Sequence, residues 1–298
     1  MSATNTLSPT SPMSVSNNQQ VIYELASSHG FTVKGIDSLA GGSINQVYLI
    51  NTSEGKKVVK VNSAHKFPGM FAAEKQGLET LKQENAFDVP AVFGLGEVGG
   101  KAYLLLEYKK EEPQKGHFWK VFGKQLSQLH KTSAESFGFA ASNYIGSLPQ
   151  YNEPRESAAG FYVNQRLEPQ VKMASERGFS LGDLSGFYRN ISEEIPQEAP
   201  ALLHGDLWSG NYITNEEGLP CLIDPAVCYG PREMDLAMMQ LFGGFPSEVF
   251  DIYNEHFPLQ QGWEERIPLW QFYYLLVHLN IFGRSYLPQV EEIIRRFS

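Results

Sequence analysis

The sequence is poor in cysteine: Cys221 and Cys228 are the only two among 298 residues. Two thiols cannot build a disulfide framework, so a stapled secreted scaffold is excluded. A reduced, cytoplasmic setting with free, buried thiols is expected. Cations are also in short supply, with 24 Lys and Arg against 33 Asp and Glu and a formal net charge of −9. Nucleic-acid binding draws on clustered cations that displace counterions from phosphates, and such a partner is therefore not expected. The pair Arg295 and Arg296 is placed to complement the C-terminal end of a last helix. No apolar run reaches the roughly 18 to 20 residues of a membrane span. The first basic residue is Lys34, which disfavours a signal with a basic start or an Arg-rich transit peptide. A monomer without nucleic-acid or membrane partners is the expectation.

What is present is ordinary globular material, 42% hydrophobic and 19% charged, in a chain long enough for two lobes with separate cores. Residues 1–16 are rich in Ser, Thr, Pro and Asn and read as a disordered tail. A short helix follows, with Val21, Ile22 and Leu25 on one face and Gly30 as its stop. From Phe31 the pattern turns to strands: FTVKGIDSLA, INQVYLIN, KKVVKVN, AVFGLGEV and AYLLLEY. A helix over 68–84 interrupts them, and Gly99 and Gly100 join the last two as a hairpin. Beyond Lys109 helices are expected at 118–130, 154–178, 180–194, 231–243, 247–257, 264–282 and 286–297. Between them lies a compact β region of ALLHGD, NYIT and PCLID. The prediction is an α+β fold of two lobes: a five-stranded antiparallel sheet with one inserted helix over 17–108, and a mostly helical lobe over 109–298. Ligand sites favour the cleft between such lobes.

The densest polar segment is HGDLWSGN, His204 to Asn211, after the apolar strand Ala201–Leu203; Asp224 follows a second short strand. Asp206 and Asn211 have the spacing that a kinase catalytic loop uses for its base and a metal ligand, and Asp224 lies where a second metal-binding carboxylate is expected. Phosphoryl transfer needs positioning and charge neutralisation more than covalent help. Asn211 and Asp224 offer hard oxygens for Mg²⁺ beside the phosphates of ATP, and Asp206 can accept the proton of an attacking hydroxyl. His204 is expected to brace the loop rather than bind metal. Lys60 in the third strand is placed to hold phosphates, and Glu74 in the next helix to pair with it. Gly41, Gly42 and Ser43 stand where a phosphate-covering loop would lie, although the segment is not G-x-G-x-x-G. The backbone of Glu107, Tyr108 and Lys109 could contact adenine. Only a short connection separates Asp224 from REMD (Arg232 to Asp235), which points to a small acceptor. Asp235 is expected to brace Asp224's loop or its own helix N-terminus. Trp208, beside the base, is either a platform for a sugar face or lobe packing. A metal-dependent hydrolase using His204, Asp206 and Asp224 is the rival reading of the same residues, but no further His/Asp cluster completes a two-metal site.

The chain resembles the fructosamine (ketosamine) kinase family, within the aminoglycoside-phosphotransferase-like kinases. The resemblance rests on GGSINQVY, VVKVN, FAAEKQGLETL, LLHGDLWSGN, IDPAVCYGPREMDLAMMQLFGGFP and HLNIFG. It implies a protein-kinase-like fold, ATP with Mg²⁺, and phosphorylation of a ketosamine sugar hydroxyl, typically the 3-hydroxyl, in deglycation of proteins or amines. By this likeness Asp206 is the proton acceptor, Asn211 and Asp224 hold metal, Lys60 and Glu74 orient phosphate, and residues 107–109 form the nucleotide hinge. Some family lineages carry Cys in the glycine turn, linked to a redox-switched dimer; Ser43 stands there here, and thiol control is not expected. A kinase of the same group acting on choline, homoserine or an aminoglycoside is the first alternative. A catalytically silent nucleotide-binding scaffold is the second.

Overall fold

A computed structural model describes residues 17–39 and 44–298; the expected tail and the turn of Gly41, Gly42 and Ser43 lie outside the described residues. Helix α1 (Asn17–Ser28) leads into strands β1 (Val33–Leu39), β2 (Gln46–Thr52) and β3 (Gly55–Ser63), then helix α2 (Met70–Glu84) and the hairpin β4 (Val92–Val98) and β5 (Lys101–Glu107). The five strands form one antiparallel sheet in the order β1-β2-β3-β5-β4, as the strand pattern predicts. Period-2 alternation decides its two faces. Val59, Val61, Tyr103 and Leu105 pack against Val21, Ile22 and Leu25 of α1 in a small core of their own. Lys60 stands between Val59 and Val61 on the opposite face, in register with Val47 and Leu104.

The second lobe is mostly helical: α3 (Phe118–His130), α4 (Ala158–Phe161), α5 (Glu168–Glu176), α6 (Ser185–Glu194), α7 (Glu233–Leu241), α8 (Ser247–His256), α9 (Trp263–Phe282) and α10 (Leu287–Phe297). None of the helices among the described residues is long and apolar enough to cross a membrane. The helix expected over 154–178 starts later and is interrupted by a π-helical stretch, Tyr162–Leu167. Pro169 lacks an N–H to continue the α ladder, and the Glu168 N–H reaches back to the Val163 carbonyl instead. The helix expected from 180 begins at Ser185, whose N–H is taken by the Asp183 carboxylate at 2.9 Å. Two further short hairpins complete the lobe. β9 (Tyr212–Thr214) pairs β10 (Pro220–Leu222), and β6 (Asn143–Ile145) pairs β7 (Leu148–Gln150). β8 (Ala201–Leu203) pairs β11 (Cys228–Gly230), so the compact β region is built of two ribbons. Cys221 and Cys228 are both free and buried.

Candidate active site

The cleft between the lobes holds a cavity of about 610 Å³. Its floor is the segment after β8. His204 is fully buried; its Nε2 lies 2.9 Å from the Ile223 carbonyl, which can only accept, so the proton sits on Nε2. Nδ1 is then free to accept from the Asp206 N–H at 3.3 Å. Burial lowers the imidazole pKa and keeps the ring neutral in this bridging role. Gly205 has φ +85°, and a Cβ there would lie 2.1 Å from the Ala226 carbonyl oxygen, so any side chain at this position collides with backbone. Asp235, in the first turn of α7, accepts from the N–H groups of His204 at 2.8 Å and Gly205 at 2.9 Å and lies 3.2 Å from His130 Nε2. It therefore braces the segment carrying Asp206, not the loop of Asp224. Burial opposes its ionisation, but the interactions with His130 and the Gly205 N–H outweigh it and hold the carboxyl below the usual range.

Asp206 is partly exposed on that floor. Asn211 Nδ2 donates to the Asp206 carbonyl at 2.8 Å and to its carboxylate at 3.1 Å, which fixes one edge of the acid. Desolvation by the surrounding protein, and next the nearby charge of Asp224, push Asp206 up to about 7 against the opposing bond from Asn211. Opposite stands Lys60, 5% exposed, with Nζ 2.6 Å from Glu74 and in an ion pair with Asp224. Burial alone would lower the Lys60 ammonium, yet the two carboxylates raise it and keep it charged. Asp224 adopts φ 55°, a left-handed conformation rare for a residue with a side chain, and its carboxylate is 45% exposed. The fold thus gathers Lys60, Glu74, Asp206, Asn211 and Asp224, 164 residues apart at the extremes, around one cavity. Trp208 lines it as well, 39% exposed. A Cβ on Gly210 would meet its indole at 2.3 Å, so the ring can fold back only over a glycine.

Comparison with known proteins is consistent along the chain. The family model for fructosamine kinase matches residues 15–298. The chain belongs to the fructosamine kinase family. A relative from Enterococcus faecium named "Probable ketoamine kinase" is 41% identical over 266 residues, covering 87% of this chain and 94% of its own. The crystal structure of a Haemophilus somnus protein assigned as a fructosamine-3-kinase superposes with a TM-score of 0.84 at 29% identity, covering 92% and 95%. An aminoglycoside phosphotransferase shares the fold alone, with a TM-score of 0.60 at 15% identity and coverage of 95% and 100%. This fructosamine kinase family member is a phosphotransferase with the two-lobed kinase-like fold.

Not every residue singled out in the sequence reaches the cavity of this family member. Glu107, Tyr108 and Lys109 continue from β5 and are not among its lining residues. The Glu107 N–H is held by the Ala91 carbonyl at 2.8 Å, and Lys109 bridges Asp88 at 2.9 Å and Glu107 at 3.1 Å. Conversely, several lining residues escape a reading of the sequence: Asn143 and Tyr144 of β6, Phe242 after α7, and Tyr274, His278 and Phe282 of α9. Tyr274 also donates to the Gly205 carbonyl at 3.2 Å. For a metal, no group of three or more His, Cys, Asp and Glu suited to the task occurs among the described residues. Mg²⁺ that serves phosphoryl transfer needs no such cage, because one or two protein oxygens, phosphate and water complete its octahedron. The half-exposed Asp224 carboxylate fits that demand. Asn211 fits as well: its amide nitrogen is tied to Asp206, so its oxygen is turned the other way.

Proposed function

We propose that this chain transfers the γ-phosphate of ATP to a sugar hydroxyl of a ketosamine, typically the 3-hydroxyl. The single observation that supports it most is the carboxylate of Asp206, held by Asn211 and raised toward neutral pH, in one cavity with the Lys60–Glu74 pair and Asp224. In the reaction the hydroxyl oxygen attacks the γ-phosphorus and its proton passes to Asp206. The bond from γ-phosphorus to the bridging oxygen breaks, and ADP leaves. Lys60, directed by Glu74, holds phosphate oxygens. Asn211 and Asp224 would hold Mg²⁺, which would supply neutralisation of the phosphate charge. The family likeness assigns phosphate cover to Gly41, Gly42 and Ser43, which lie outside the described residues, and adenine to residues 107–109, which are not among the cavity's lining residues; Trp208 offers its apolar face to the sugar. Phosphorylation weakens the sugar–amine adduct, so the consequence is deglycation of proteins or small amines. The protein is a cytoplasmic monomer in this reading.

The test is a panel of acceptors with purified protein and Mg·ATP. Phosphate transfer to fructosyl-lysine or a ribulosamine is expected, and turnover confined to choline, homoserine or aminoglycosides would refute the acceptor. Asp206→Asn separates an enzyme from a silent scaffold. Turnover is expected to fall by about 10² to 10⁴-fold, the usual worth of a general base, while ATP binding measured by calorimetry persists.

A further inference from the structure

The outer half of the cavity has a chemistry that its catalytic floor does not use. Phe242, His278, Phe282 and Tyr286 line it together with Trp208. His278 is the centre of this group, with ring centroids 4.8 Å from Phe242, 5.4 Å from Phe282 and 5.1 Å from Tyr286. Phe242, Phe282 and Trp208 are 42%, 55% and 39% exposed, so large apolar rings stand open to water at this one mouth. Rings kept exposed at the rim of a polar site point to a ligand that covers them.

Charge says which kind. The described lining residues carry three carboxylates (Glu74, Asp206, Asp224) against one ammonium, Lys60, which already pairs with two of them. His278 adds no positive charge near neutrality, because burial lowers its pKa. Its Nδ1 lies 2.7 Å from the Tyr274 carbonyl and must hold the proton, which leaves Nε2 as an acceptor. Aromatic faces, an acidic floor and an imidazole lone pair favour a substituted ammonium.

We propose that Phe242, Phe282 and Tyr286, gathered around His278, form a subsite for the protonated secondary amine of the acceptor and the first methylenes beyond it. The proposal rests on the ketosamine reading above and assigns the half of the acceptor that is not phosphorylated. With the sugar over Trp208 and Asp206, the amine arm passes between the rings and leaves through the open mouth. A lysine side chain carrying the sugar can then be served while its backbone stays outside. The subsite holds the cation by cation–π attraction rather than by an ion pair, and so it tolerates what lies further along the arm.

Steady-state kinetics on two acceptors test this. One is N-butyl-fructosamine; the other is 1-O-butyl-fructose, which keeps the sugar and the arm but replaces the ammonium with an ether oxygen. Wild-type protein is expected to favour the amine at least tenfold in kcat/KM. Phe242→Leu and Phe282→Leu keep apolar bulk and lose the π face, and each is expected to cut that preference threefold or more, through KM rather than kcat. Phe282 is more than half exposed, and thermal unfolding checks that both variants fold. An unchanged preference in both variants, or equal use of the two acceptors by wild type, overturns the subsite while leaving the sugar kinase intact. No turnover of either acceptor by wild type overturns the ketosamine reading itself, and the subsite with it.

Discussion

Asp206 carries opposite consequences for activity and for stability, and both follow from one shift. In its proposed role as base Asp206 must be ionised to act, so kcat/KM is expected to rise with pH through an inflection near the value of about 7 to which Asp206 is pushed. Part of that shift is repulsion from Asp224. A divalent cation held by Asp224, as the proposed function has it, would offset that repulsion, so saturating Mg²⁺ should move the inflection below 7. Stability runs the other way. With a folded pKa above the ordinary carboxylate value, the native state binds more protons than the unfolded chain between about pH 4 and 7, and ΔG of unfolding falls as pH rises through that window. Asp206→Asn removes this penalty. The variant is expected to melt higher than wild type at pH 8 and to lose that advantage near pH 4, as calorimetry at the two pH values would show. A variant less stable at pH 8 would mean that the acid is not held ionised against its surroundings. Asp206, Asn211 and Asp224 were legible in the sequence because their relation is local: two sit on one loop and the third follows the next hairpin.

At the scale of elements, α7 and α9 do for the site what its own loop cannot. Asp235 of α7 holds the backbone N–H groups of His204 and Gly205, and Tyr274 of α9 holds the Gly205 carbonyl. Asp235→Ala leaves three buried donors, the N–H groups of His204 and Gly205 and Nε2 of His130, without this acceptor, each costing about 1–3 kcal/mol. The expected result is a drop of a few kcal/mol in urea unfolding and a fall in kcat larger than the change in KM for ATP, since Lys60 and Glu74 are untouched. Equal loss in both constants would place Asp235 in general stability rather than in holding the base. REMD points to Asp235 but not to its partners: the loop of Asp224 and the helix N-terminus are the expectations, and His204 and Gly205 take the carboxylate instead. The contribution of α9 was not legible at all. Twelve of its 20 residues are buried, so its apolar residues run all round the helix and no period marks the face toward the cavity. The β6–β7 hairpin was missed for a different reason, since strands of three residues carry too little alternation to stand out.

Across the whole molecule, the Lys60–Asp224 ion pair spans the cleft, from the sheet of one lobe to a loop of the other. The fold class could be read because the five strands and the inserted helix are long and locally consistent, and because apolar faces at period 2 and 3.6 leave one way to bury each. How the lobes meet could not be read, since it depends on charges far apart in sequence. Asp224 pairs with Lys60, and the proposed function asks the same carboxylate to bind metal, which would make nucleotide binding a competition. In the proposed reaction Asp224 would turn to the cation and Lys60 would take phosphate oxygens in its place. Ligand that binds only the native state stabilises it by RT ln(1 + [L]/Kd), about 2.7 kcal/mol at a hundredfold excess over Kd. A non-hydrolysable ATP analogue should therefore raise the melting temperature of wild type much further with Mg²⁺ than with a chelator. Asp224→Asn keeps the size of the side chain but gives up its charge, both toward Lys60 and toward metal. Its melting temperature without nucleotide should fall, because the buried Lys60 ammonium loses one of its two carboxylates and keeps only Glu74. Its response to the analogue should become the same with and without Mg²⁺. A Mg²⁺-dependent rise as large as that of wild type would show that the cation is held elsewhere and that Asp224 serves only the ion pair across the cleft.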